Sequence, residues 1–171
     1  MQPDETFETH TVLNQSPPFG DVNLFTGDAA LQEAVEREGA GHAAESLARF
    51  GALTGSAQML EQGRLANENP PRLKSHDLKG HRIDKVEYHP AYHALMTMST
   101  AQGLHMGSWD HLISGANAPA PGANVARAAG SFMAAQTEAG HCCPITMTNA
   151  AVASLLLEPA LAQDLLPKIL V

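Results

Sequence analysis

Apolar positions recur at helical spacing through most of the chain and lapse in three places: residues 1–27, residues 72–88 and the loop "SGANAPAPGAN". From Asp28 onward, Leu31, Ala34 and Val35 repeat while Glu33 and Glu36 turn outward, which predicts a first helix with Asp28 as its N-cap and an end at the glycines of "REGAGH". "AAESLARFGALTG" reads as a second helix, with Leu47, Phe50 and Leu53 on one side. "TGSAQMLEQGRLANENPP" is a third, capped by Ser56, with Met59, Leu60 and Leu65 inward, and Pro70 and Pro71 forbid its continuation. The links among these three are short, so they are expected to pack as antiparallel neighbours.

In "HDLKGHRIDKVEYHP" the period changes: Ile83, Val86 and Tyr88 are scattered about a glycine-centred turn, as in a short irregular or hairpin-like excursion. Pro90 suits the first turn of a fourth helix whose apolar side carries Leu95, Met96 and Met98. Beyond Trp109 and the Gly/Pro/Asn loop comes an Ala-rich fifth helix, "NVARAAGSFMAAQTEAG". Pro144 opens a sixth, with no charged residue from Ile145 to Leu157, which predicts burial nearly all round. Pro159 breaks it, and "PALAQDLLPKIL" is a last amphipathic helix. The expectation is an all-α bundle of six or seven helices over residues 28–171, preceded by an extended arm, residues 1–27, that must lie on something else to be ordered.

Composition narrows the function. With 171 residues, 44% hydrophobic and 16% charged, the chain is of globular type, and its few aromatics (5%) require a core of Ala, Leu, Val and Met. Eighteen acidic against ten basic side chains, net −8, work against a duplex-binding surface. The densest basic run, "RLKSHDLKGHRIDK", contains two aspartates and reads as solvated. No apolar run reaches the length of a membrane helix, and the acidic, polar "MQPDETFETH" resembles neither a signal peptide nor a mitochondrial leader. Two adjacent cysteines make no disulfide framework, which points to a reducing cytoplasm.

Four motifs invite chemistry. His89 and His93 have zinc-like spacing, but Pro90 makes His89 a capping residue and no glutamate lies between them. Gly39, Gly41 and Ala44 match a dinucleotide fingerprint formally, yet a helix precedes them where a strand is needed. "MGSWD" lacks the second glycine of a nucleophile elbow. His141, Cys142 and Cys143 leave three readings open: packed small hydrophobes, a thiol activated at a helix N-terminus with His141 as base, or part of a metal site. No complete active site emerges.

The segments "THTVLNQSPPFGDVNLF", "REGAGH", "GRLANENPP", "YHPAYHALM" and "EAGHCCPITMT", in this order, resemble the N-terminal part of the AidB-type branch of the acyl-CoA dehydrogenases. The resemblance runs from about Thr9 to Leu157 and implies an N-terminal helical domain of an FAD-dependent flavoprotein linked to the adaptive response to DNA alkylation. In such proteins a β-domain and a C-terminal helical domain hold most of the FAD, supply the catalytic glutamate and carry the basic surface proposed to contact DNA. The resemblance places all three features after Val171, so the chain alone is expected to hold no FAD, no catalytic residue and no metal, and to be inactive. Its partners would be the remaining domains, other copies in a homotetramer and, through the C-terminal domain only, DNA. The same analogy sets the helix after Pro144 beside the acyl cavity, with Thr146 and Met147 as its lining residues. It also makes the arm an assembly element, with Leu24 and Phe25 exposed in the isolated chain. The competing reading is a free-standing helical interaction module without catalysis.

Overall fold

The computed structural model describes residues 9–171. The helices, in chain order, are α1 (Ala29–Arg37), α2 (Ala44–Thr54), α3 (Ala57–Glu68), α4 (Pro90–Ala101), a single turn α5 (His111–Ser114), α6 (Ala123–Thr137), α7 (Cys142–Leu155) and α8 (Pro159–Ile169). Strands β1 (Arg72–His76) and β2 (Arg82–Glu87) form an antiparallel hairpin between α3 and α4. The all-helical expectation holds, with α5 and a 3-10 turn at Gly41–Ala43 as turns the periodicity does not predict.

Local signals place the helix starts. Asp28 accepts the Leu31 N–H at 2.9 Å and Ser56 accepts the Met59 N–H at 3.2 Å, each satisfying a donor that the first turn leaves open. Pro90 sits at the start of α4, where its missing N–H costs nothing. Between α1 and α2 the backbone turns at Gly39, whose φ of +80° is left-handed, so the formal dinucleotide fingerprint is a helix-to-helix corner.

Packing departs from the sequential order expected. α2 lies chiefly against α6 and α3 against α4, and α1 also rests on α6, so α1, α2 and α3 are not a run of antiparallel neighbours. The Ala-rich α6 sits at the centre of the packing; Ala129, Gly130, Met133 and Ala134 are buried there. Leu47 and Phe50 of α2, Leu95 of α4 and Ile145 of α7 complete the same core. Leu53 points away from it and is exposed, while Met59, Leu60 and Leu65 are only half-buried, because α3 makes its closest approach at Gly63. A Cβ at Gly63 would run into the Thr137 carbonyl at the end of α6.

Phe25 is another correction: it is buried at 3% exposure, and Leu24 is half-buried. The Leu24 N–H donates to Gly51 O at 3.1 Å, and Asn23 Nδ2 donates to Ala48 O at 2.8 Å. Docking depends on Gly51, where an added Cβ would stand 2.6 Å from Phe25 N. Residues 11–19 are exposed.

The largest correction concerns α7. Only Ile145 and Val152, seven residues apart on one stripe, are buried. Met147 is 65% exposed, Leu157 85%, and Thr146, Ala150, Ala151 and Ser154 are exposed as well. α7 packs on α4, α6 and α8, and the face carrying Thr146, Met147, Ala150 and Ser154 has no covering element among the described residues.

Candidate functional site

Two features meet at the start of α7: a buried polar array beneath it and the uncharged exposed face along it. The array begins where α6 ends. Glu138 leaves the helix with extended backbone (φ −164°, ψ 124°), and its side chain, 8% exposed, folds back over the turn. Its Oε1 accepts the Gly140 N–H at 2.6 Å, and its Oε2 accepts the His141 N–H at 2.8 Å and contacts His141 Nδ1 at 3.1 Å. The His141 Nε2 lies 2.8 Å from Ser99 Oγ on α4, and both residues are buried. A carboxylate only accepts, so Nδ1–H is the donor toward Glu138, while Nε2 and the Ser99 hydroxyl share the second hydrogen bond.

Burial pushes the Glu138 carboxyl up, but hydrogen bonds from the His141 and Gly140 backbone and from the His141 ring outweigh it and hold the group below the usual carboxylate range. The order Glu–His–Ser is that of a hydrolase triad, but Ser99 is fully buried and presents no nucleophile to a substrate. The array is a pin that fixes the start of α7 to α4 and to the end of α6. Beside it a cavity of about 290 Å³ is lined by Asn67, Pro70, Pro71, Tyr92, Glu138 and His141.

The two sulfurs lie apart from any such chemistry. Cys142 Sγ is 3.7 Å from Glu138 O and 3.9 Å from His141 Nε2, and burial, with the nearby Glu138 charge, raises its thiol pKa, the opposite of activation. Cys143 is exposed and contacts Met147 Sδ at 3.9 Å. His89 is the cap of α4, its Nδ1 accepting the Ala91 N–H at 3.2 Å, and His93 is exposed. Among the described residues no three His, Cys, Asp or Glu side chains gather as a metal site requires.

Thr146 and Met147 stand together on the exposed face of α7. The uncharged run from Ile145 to Leu157 signals this face, although it reads equally as burial inside the chain. The sequence reading names no orienting group for His141; Glu138, three residues before it, is the local signal that could have found one, whereas Ser99 carries none.

The helical layout matches about a third of the length of larger proteins. It superposes on the structure titled "Bd2924 apo-form" with a TM-score of 0.76 at 23% identity, covering 93% of this chain and 31% of that one. On Caenorhabditis elegans ACDH-11, solved in complex with C11-CoA, the TM-score is 0.74 at 20% identity, with 99% and 30% covered. At these identities the likeness establishes the fold. Residues 14–171 match the family described as adaptive response protein AidB N-terminal domain, and the chain belongs to that family. It is 47% identical over 159 residues to "Putative acyl-CoA dehydrogenase AidB" of Escherichia coli (strain K12), covering 92% of this chain and 28% of that protein's length. Among the described residues no helix is long and apolar enough to cross a membrane.

Proposed function

We propose that this chain is the scaffold and acyl-cavity wall of an AidB-type, FAD-dependent acyl-CoA dehydrogenase-like protein. The observation that carries the reading is the exposed face of α7, apolar or weakly polar along its whole length and free of charge from Ile145 to Leu157. A helix face of that kind is stable against an acyl chain, a flavin ring or another domain and is poorly suited to water. Thr146 would offer one hydroxyl and Met147 an adaptable thioether to the acyl group. This face has no basic side chain to hold a dinucleotide pyrophosphate, so its residues do not fit as the binder of FAD. The flavin is assigned to other domains, and the dehydrogenation chemistry with it.

The rest of the reading joins the pin to the resemblance of the sequence to AidB-type proteins. The pin of Glu138, His141 and Ser99 holds α7 at a set angle, so that the wall is formed before a ligand arrives. The exposed arm at residues 11–19 would cross to a neighbouring subunit in a homotetramer, and contact with DNA in the alkylation response would be made by domains outside this chain. Two free, adjacent cysteines favour the cytoplasm.

The test is made in the complete flavoprotein that carries this domain. Met147→Arg should shift the visible flavin absorbance or weaken acyl-CoA binding about tenfold or more, a charge facing an apolar ligand being strongly disfavoured. Unchanged absorbance together with unchanged acyl-CoA affinity would remove α7 from the cavity.

A further inference from the structure

A hairpin with no third strand or helix against it is marginal in water. β1 is exposed along its whole length, β2 is exposed up to a half-buried Glu87, and the two strands make their contacts chiefly with each other. In the register Arg72 stands opposite Glu87, Leu73 opposite Val86 and Lys74 opposite Lys85. Successive residues alternate faces, so Leu73 and Val86 share one face while Arg72, Lys74, Lys85 and Glu87 share the other. On the charged face Glu87 lies 2.8 Å from Lys74 Nζ and 3.4 Å from Lys85 Nζ, offsetting the repulsion of the paired lysines. The apolar face is bare: Leu73 is 66% exposed and Val86 46%, with Leu78 fully exposed at the tip.

Charge indicates what covers it. Residues 72–87 carry five basic and three acidic side chains, and the remainder of the chain carries five basic and fifteen acidic. The hairpin is therefore a positive projection from a strongly negative body. Two copies repel body to body and attract where the hairpin of one meets the helices of the other. A nucleic-acid surface would match the basic side chains but would leave Leu73, Leu78 and Val86 uncovered and would oppose Asp77, Asp84 and Glu87.

We propose that the β1–β2 hairpin is a self-association arm that docks on the acidic helical body of a second copy of this chain. Leu73, Leu78 and Val86 are covered there, and the basic side chains face the partner's carboxylates. This rests on the oligomer reading above and names the element responsible. Two copies exchanging hairpins make an isologous, closed dimer.

Sedimentation of the 171-residue chain tests it, compared at about 50 and about 500 mM salt, since exposed charge pairs separated by more than a Debye length are screened at the higher value. The proposal expects a concentration-dependent dimer that dissociates about tenfold more readily in high salt. The double substitutions Leu73→Ser with Val86→Thr, and Lys74→Glu with Lys85→Glu, should each weaken it by about the same factor or more without changing the helical circular dichroism. Leu78→Glu at the exposed tip replaces either pair if its helical signal falls. A monomer at about 100 μM overturns both the proposal and the oligomer reading for this chain. A dimer indifferent to all these substitutions overturns the hairpin while leaving the oligomer reading intact. Salt-sensitive retention of a DNA duplex, lost with Lys74→Glu and Lys85→Glu in a chain that stays monomeric, replaces the proposal with nucleic-acid binding.

Discussion

Replacing Glu138 by Gln should loosen the start of α7, and the structure sets the size of the effect. The carboxylate accepts from the Gly140 N–H, the His141 N–H and His141 Nδ1, all within 3.1 Å. A Gln side chain keeps one oxygen and turns an NH₂ group toward donors at the other position, so at least one charge-assisted bond is lost and one donor faces another. Hydrogen bonds to charged groups contribute about 1.5–3 kcal/mol each, and a donor left facing another donor adds to the loss, which puts Glu138→Gln at about 3 kcal/mol. For a chain of this size that corresponds to a fall in Tm of about 6–12 °C. The effect depends on pH with a defined sign. The folded carboxyl titrates below its ordinary value of 4.5, so its contribution is fully present above that pH and is lost as the pH falls through the lower, folded value. Urea unfolding of the wild type and Glu138→Gln from about pH 7 to pH 4 and below should show a constant difference that narrows at the acid end. A difference under about 1 kcal/mol at neutral pH, or one that persists unchanged into acid, refutes the pin.

Gly51→Ala should undock residues 22–25, because the new methyl meets Phe25 N, and should cost about 1–3 kcal/mol with faster proteolysis before Asp28. Phe25→Ala should cost about 3–4 kcal/mol in the same unfolding assay, as for a core aromatic and not an arm residue. Thiol titration of the folded chain should give two phases, with exposed Cys143 reacting first and half-buried Cys142, its thiol pKa raised, following slowly; one fast phase for both would contradict the site geometry. Leu157→Lys should change the stability of this chain by no more than about 0.5 kcal/mol, since nothing in it covers that position.

What was legible in the sequence was local. The caps Asp28 and Ser56, the N-terminal Pro90 and the breaks at Pro70 and Pro159 act over a single helical turn, and each stands where its chemistry requires. The hairpin was likewise visible in its loss of helical period. Features that depend on distant partners were not. Ser99 meets His141 across 42 residues of sequence, and nothing around Ser99 announces the contact. Phe25 lies in a turn-rich stretch, and its burial is decided by the missing side chain at Gly51. For α7 the lack of charge was read as burial within the chain. It states only that water is a poor neighbour, and the cover can come from elsewhere. The family motifs fared best because "EAGHCCPITMT" and "GRLANENPP" combine many residues at once, and the match over residues 14–171 bears that reading out.

The central claim is that α7 presents a face completed from outside the chain, and oxidation of Met147 tests it most directly. Met147 is 65% exposed and Met133, in the core, is fully buried, so one chain carries both the probe and its control. Peptide mapping after mild peroxide treatment should find Met147 sulfoxide forming rapidly in the isolated chain. In the complete, flavin-loaded protein it should form about tenfold more slowly, and more slowly still with acyl-CoA bound, while Met133 stays protected in both. Equal oxidation of Met147 in the isolated domain and the complete flavoprotein, with or without acyl-CoA, would contradict the account.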